Sequence, residues 1–156
     1  MLLGKKRKLG RSIEDISIGE KLSLTEKMED KELLLYLGLT GDANPLYIQH
    51  DYASLTPYKK PLVPGVMLSG IITSAISKYL PGPGSYITQQ NINYLKPVYH
   101  YETIQFLLEV TGKHDSYIII SFSGRNEQEE SVMEGTMHVC PPQMARTADG
   151  QDFNNF

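Results

Sequence analysis

The chain has 156 residues, a formal net charge of −3 and a single cysteine, with 40 % hydrophobic and 21 % charged residues. This balance suits one soluble globular domain with a sizeable core. It argues against a nucleic-acid binder, which would be basic, against a membrane-spanning chain, and against a disulfide framework or cysteine-based zinc site.

The opening MLLGKKRKLGR puts Lys5, Lys6, Arg7, Lys8 and Arg11 after a short apolar triplet. A secretory signal has the reverse order and a longer apolar stretch, so a cytoplasmic protein is expected. Residues 1–14 read as a solvated basic segment. The sharper alternative is an arm that attracts the phosphate of a cofactor or carrier. Next, KLSLTEKM over residues 21–28 alternates Leu22 and Leu24 with polar neighbours, which suits a strand. Residues 29–37 carry Leu33, Leu34 and Leu37 at helical spacing, with Asp30 placed to cap the start.

Thr40 to Pro45 is turn chemistry, Gly-Asp followed by Asn-Pro. Residues 46–55 suit a short helix or turns. Residues 57–64 form a proline-punctuated loop.

The clearest periodic signal runs from Gly65 to Leu80. The pairs Met67/Leu68, Ile71/Ile72, Ala75/Ile76 and Tyr79/Leu80 recur every four residues, with small or polar residues between them. The pattern predicts a helix that is almost wholly buried, stopped by Pro81-Gly82-Pro83-Gly84. Four strand-like segments follow, at residues 86–95, 102–111, 117–123 and 132–139. Ile104, Phe106, Leu108 and Val110 share one face of the second, and Ile118, Ile120 and Phe122 one face of the third. The turns between them argue antiparallel neighbours. The pattern therefore reads as one α+β domain, an antiparallel sheet wrapped around one long helix. Residues 141–156 lack an apolar period and read as a loose tail.

Residues 36–54, YLGLTGDANPLYIQHDYAS, resemble the signature of the MaoC-like, (R)-specific enoyl-CoA hydratase family: aromatic, small residues, Gly-Asp, any residue, Asn-Pro, aliphatic, His. One element departs, because the family's histidine falls on Tyr47. The likeness continues through PLVPGVMLSG (61–70) and LPGPGSYITQQNINYLKPVY (80–99), and it covers roughly residues 15–140. It implies the hot-dog fold for 15–140 as a single domain.

It also implies roles. Asp42 matches the catalytic carboxylate and Asn44 the residue that shapes its loop. Gly65 matches the glycine whose backbone N–H meets the thioester carbonyl. Thr73 matches a hydroxyl position two turns into the helix, and Pro64 stands where a second family histidine is common. Val66 follows in the same helix-opening stretch. A second branch of the fold, the dehydratases of carrier-bound acyl chains, has a catalytic Glu that falls here on Gly70. Its upstream His is also missing from residues 57–61.

The implied activity is hydration of a trans-2-enoyl thioester, or dehydration of an (R)-3-hydroxyacyl thioester, on CoA or acyl carrier protein. No further cofactor is implied. Tyr47 is a poor substitute for His, since a phenol with a reference pKa of about 10 is a donor and only a weak base at neutral pH. His50 lies three residues further on. If residues 46–52 are helical, positions 47 and 50 share a face, and His50 becomes a candidate to restore the pair with Asp42.

The plain alternatives stand beside these. Asp42 and Asn44 suit Asx turns and a helix cap. Gly65 suits a helix start, and Thr73 suits a bond back along its own helix. His100 and His114 fall in turns and are expected to be solvated. His138 is expected to be structural. Cys140 has no basic partner in sequence, and the histidines lack metal-ligand spacing. The alternative function is a non-catalytic acyl-thioester binder, or the silent subunit of a hetero-oligomeric dehydratase. The family's edge-to-edge pairing implies a homodimer by default, with a heterodimer as the second form.

Overall fold

The structure, a computed structural model, describes residues 9–143. Lys5, Lys6, Arg7, Lys8 and the tail beyond Gln143 lie outside the described residues. A five-stranded antiparallel sheet carries the domain, in the order β1 (Lys21–Lys27), β3 (Thr103–Lys113), β4 (Ile118–Arg125), β5 (Ser131–Cys140), β2 (Tyr86–Tyr94). Between β1 and β2 lie α1 (Asp30–Thr40), α2 (Pro45–Ile48), α3 (His50–Ser54) and α4 (Gly65–Tyr79).

Alternation sets the register. Ile104, Phe106, Leu108 and Val110 of β3 are all fully buried, and Ile118, Ile120 and Phe122 of β4 continue the same face. A one-residue slip would turn all of them outward, so the pairing Phe106↔Gly124 and Leu108↔Phe122 is tightly specified. Each such side chain contributes about 1.5–3 kcal/mol on burial. Gly135 lets β5 approach β2, since a Cβ there would lie 2.2 Å from the Asn91 carbonyl.

Helix α4 lies against this face through Leu68, Ile72, Ala75 and Ile76. The expected near-complete burial of α4 is corrected here. A single sheet covers only one side of a helix. Val66 is 60 % exposed, Gly70 is exposed, and Met67, Ile71 and Ser74 are half-buried along a cavity of about 390 Å³ shared with Leu24 and Met28.

Two other expectations change. Asp30 does not cap α1. Glu29 is the N-cap residue and makes no side-chain cap bond. The Asp30 carboxylate instead accepts the Tyr101 hydroxyl. Helix α1 also runs on to Thr40, because Gly41, in the left-handed region at φ 67°, closes it with an N–H bond to the Leu37 carbonyl. Arg11 leaves the basic cluster: its guanidinium pairs with both Glu20 oxygens, at 2.6 and 3.1 Å. The chain before β1 is built in, with the Gly10 and Arg11 N–H groups donating to the Pro83 and Pro81 carbonyls.

Candidate active site

The loop after α1 is locked by its own side chains. The Asp42 N–H donates to Thr40 Oγ1 at 3.2 Å, and the Asn44 N–H donates to Asp42 Oδ1 at 3.0 Å. The Leu46 N–H donates to Asn44 Oδ1 at 3.0 Å, so Asn44 caps α2 with Pro45 in the first turn. Asp42 and Asn44 thus make the turns and the cap that local chemistry asks for. Asp42 does more, since its Oδ2 accepts the Tyr36 hydroxyl at 2.8 Å.

That donation to Asp42, with some burial and the carboxylate charge, pushes the Tyr36 phenol above its ordinary pKa, and Tyr47 adds a smaller push. Sequence reasoning did not single out Tyr36 as a partner of Asp42. The signal was its place at the head of the signature, six residues before the carboxylate. Each Asp42 oxygen retains a free lone pair after these bonds, so the carboxylate keeps capacity for a further proton or water.

Helices α2 and α3 are not one helix. Gln49 is extended at φ −114°, ψ 108°, and separates Tyr47 from His50. The helical-face argument for pairing 47 with 50 therefore does not apply. The fold brings them together by another route: both line a cavity of about 470 Å³ between α1 and the β2–β3 connection. Leu33, Leu37 and Ile48 form its apolar wall, while Asp30, Lys60 and His100 bring charge or titratable groups. Among the described hydrogen bonds of Asp42, none reaches His50.

His100 corrects the expectation of a solvated turn residue. Its side chain is 13 % exposed, and both ring nitrogens are buried without a partner. His114 is exposed as expected but stacks on Tyr117, which stacks in turn on His138, at 4.5 and 5.0 Å between ring centroids.

Gly65 opens α4 after a buried Pro64. A Cβ at Gly65 would lie 2.7 Å from Tyr94 Cζ and 2.9 Å from both Cε atoms, so the end of the Tyr94 ring rests on the glycine. Tyr94 is a residue that sequence reasoning missed, because strand position alone does not say which helix end it meets. In the first turn of α4 the Met67 N–H donates to the Pro64 carbonyl at 3.0 Å, while the Gly65 and Val66 N–H groups before it carry the positive end of the helix dipole, a setting for a developing oxyanion. Val66 stands exposed beside Gly65. Thr73 donates its hydroxyl to the Ser69 carbonyl at 3.0 Å, bonding back along its own helix as the plain reading had it. Among the described residues no three His, Cys, Asp or Glu side chains gather as metal ligands.

A family model described as the MaoC like domain matches residues 15–132. The chain belongs to this family. Among MaoC-like relatives, the (R)-specific enoyl-CoA hydratase of Rhodospirillum rubrum is 32 % identical over 99 residues, covering 64 % of this chain and 69 % of the relative. The (R)-specific enoyl-CoA hydratase of Aeromonas caviae is 25 % identical over 114 residues, covering 73 % and 85 %. The unliganded R-hydratase PhaJ1 of Pseudomonas aeruginosa superposes with a TM-score of 0.79 at 23 % identity, over 88 % of this chain and 94 % of that one. The fold is the hot-dog fold, an antiparallel sheet around one long helix.

Proposed function

We propose that this MaoC-like chain is a hydro-lyase that adds water to, or removes it from, trans-2-enoyl and (R)-3-hydroxyacyl thioesters on CoA or acyl carrier protein. The family match over residues 15–132, with relatives named as enoyl-CoA hydratases and hydroxyacyl dehydratases, carries this reading. In hydration Asp42 takes a proton from water as the water oxygen bonds to C3. The C3–C2 π pair moves toward the thioester oxygen, which the Gly65 N–H at the α4 N-terminus stabilises. C2 then takes up a proton, and the carboxylate is restored. Asn44 holds the loop. Tyr47 orients the water or the carbonyl as a donor, and His50 lies in the same cavity as a candidate proton carrier. Pro64, Val66 and Thr73 shape the helix side of the substrate path.

The second reading is a non-catalytic acyl-thioester binder or silent subunit. It is supported by the resemblance, in which the family's histidine falls on Tyr47, and by the bond that each Asp42 oxygen already accepts, which leaves one lone pair on each. A solved neighbour is itself a two-component assembly, the ChsH1–ChsH2 complex of Mycobacterium tuberculosis (TM-score 0.73 at 21 % identity, covering 80 % of this chain and 98 % of that one). Strand β2 ends the sheet with one edge unpaired, which suits pairing with a second copy or a related chain. Among the described residues no helix is long and apolar enough to cross a membrane, and a cytoplasmic location fits this reading.

The deciding assay is hydration of crotonyl-CoA by wild type and by Tyr47→His. Turnover by wild type supports the enzyme. An inactive wild type with a gain of about 10²-fold or more in Tyr47→His supports the binder. No turnover by either, with no acyl-CoA binding, overturns both.

A further inference from the structure

The proposed hydration involves both hydrogens of one water. Asp42 receives one of them. Tyr47 serves as a donor, so the second hydrogen has no acceptor among the residues assigned above. A water held by one hydrogen alone turns about that bond, and its oxygen is then not aimed at C3.

Tyr36, on α1, stands against the base. Its hydroxyl donates to Asp42 Oδ2 at 2.8 Å. Its backbone is tied to the same residue through Thr40: Thr40 Oγ1 donates to the Tyr36 carbonyl at 2.8 Å and accepts the Asp42 N–H at 3.2 Å. One link from the ring and one from the backbone therefore fix the phenol relative to the carboxylate. A phenol has one hydrogen, and that of Tyr36 is committed to Asp42. The Thr40 hydroxyl is also close to the phenol, but its own hydrogen is taken by the Tyr36 carbonyl. Oη thus keeps accepting capacity beside the base. Tyr36 and Asp42 are both partly exposed, so water reaches the pair. The bond to Asp42 pushes the phenol above its ordinary pKa, so Tyr36 keeps its proton at neutral pH and Oη acts as an acceptor.

We propose that Tyr36 is a catalytic residue: its Oη accepts the second hydrogen of the attacking water, and then the hydrogen of the 3-hydroxyl that this water becomes. The inference rests on reading the chain as a hydro-lyase of acyl thioesters. A water that gives its two hydrogens to two oxygens holds them roughly 4–5 Å apart. Oδ2 lies only 2.8 Å from Oη, so the reacting hydrogen goes to the free lone pair of Oδ1. As the water oxygen bonds to C3, its O–H bond toward Oδ1 breaks and that proton passes to Asp42. The C3–C2 π pair moves toward the thioester oxygen at Gly65. The second hydrogen stays on the former water oxygen, still bonded to Oη, and the remaining lone pair of that oxygen accepts from Tyr47. Tyr36 itself neither gains nor loses a proton. Dehydration runs through the same contacts in reverse, with the leaving 3-hydroxyl donating to Oη.

Tyr36→Phe keeps the ring and removes Oη alone. Its kcat in crotonyl-CoA hydration is expected to fall at least about tenfold, with KM unchanged because crotonyl-CoA carries no hydroxyl. Inhibition of the same reaction by (R)-3-hydroxybutyryl-CoA is expected to weaken about tenfold, while inhibition by butyryl-CoA, which lacks the hydroxyl, stays as in wild type. The variant is expected to melt within about 4 °C of wild type, since the lost bond is only part-buried.

A tyrosine that only steadies Asp42 lowers kcat and leaves both inhibition constants where they were. That result overturns the inference and leaves the parent reading intact, and so does an undiminished kcat. A wild type that does not hydrate crotonyl-CoA overturns the hydro-lyase reading and the inference with it.

Discussion

In the proposed reaction Asp42 is the base as well as a turn former, and one substitution separates the two. In Asp42→Asn the side-chain carbonyl still accepts the Asn44 N–H, now bonded at 3.0 Å, while the amide NH2 replaces the oxygen that accepts Tyr36 at 2.8 Å. The Tyr36 hydroxyl then turns to accept. A hydrogen bond to a charged group contributes about 1.5–3 kcal/mol and a neutral one about 1. Asp42 is only half-buried, so solvent reduces the difference, and the expected loss is roughly 1 kcal/mol, or about 2–4 °C in Tm for a domain of this size. Removing a positioned general base costs about 10²–10⁴ in rate. The hydration rate should therefore collapse while the fold barely notices. Melting followed by circular dichroism and initial rates with crotonyl-CoA measure the two effects side by side. A rate loss under tenfold would refute Asp42 as the base. A Tm drop beyond about 10 °C would show that its bonds in the turn dominate instead.

The Tyr36 phenol carries a linked signature. Its pKa is raised by the Asp42 bond, so the stabilisation is complete below the ordinary tyrosine range and is lost as pH rises through the raised value. Asp42→Asn should accordingly lose less stability, relative to wild type, in strong alkali than at neutrality. Gly65→Ala should change stability by under about 1 kcal/mol, because the clashing atom is the far end of the half-exposed Tyr94 ring, free to swing aside. It should still lower the hydration rate at least tenfold by crowding the α4 N–H groups; an unchanged rate would remove Gly65 from the site. Arg11→Ala should cost about 0.2–1 kcal/mol at pH 7, since solvent reaches the partly exposed Glu20 pair. Arg11 holds the Glu20 carboxyl below its ordinary range, so the pair stabilises above that range and fades as pH falls through the lowered value. Denaturant midpoints of the two proteins should converge once the pH falls below the lowered Glu20 value, and a constant gap would refute the assignment.

Much of the fold was legible because the relevant pattern is local. Burial alternates every second residue along β3 and β4, and apolar pairs recur every four residues along α4, so periodicity alone gave element type and order, and the inward face of these strands. The helix start at Gly65 came out as read. So did the α+β class, and the motif of residues 36–54 pointed to the MaoC-like family. The Asx turns of Asp42 and Asn44 are legible for the same reason: each bonds a backbone N–H two residues on.

Where local pattern stopped, contacts between distant residues took over. Tyr101 meets Asp30 across 71 positions of sequence. The Tyr94 ring rests on Gly65, and His100 lies enclosed beside the start of α1. A histidine in a turn reads as solvated unless another element covers it, and which element does so depends on sheet order. The break at Gln49 likewise undid a helical-face argument, while the cavity brought Tyr47 and His50 together by a route that spacing does not encode. By itself the sequence determined the domain's architecture, its family and the carboxylate-bearing loop, because backbone periodicity and turn chemistry act over a few residues. Only the tertiary structure decided which histidine is enclosed, which tyrosine holds Asp42 and which side of α4 stays open, because burial is settled by what packs on top.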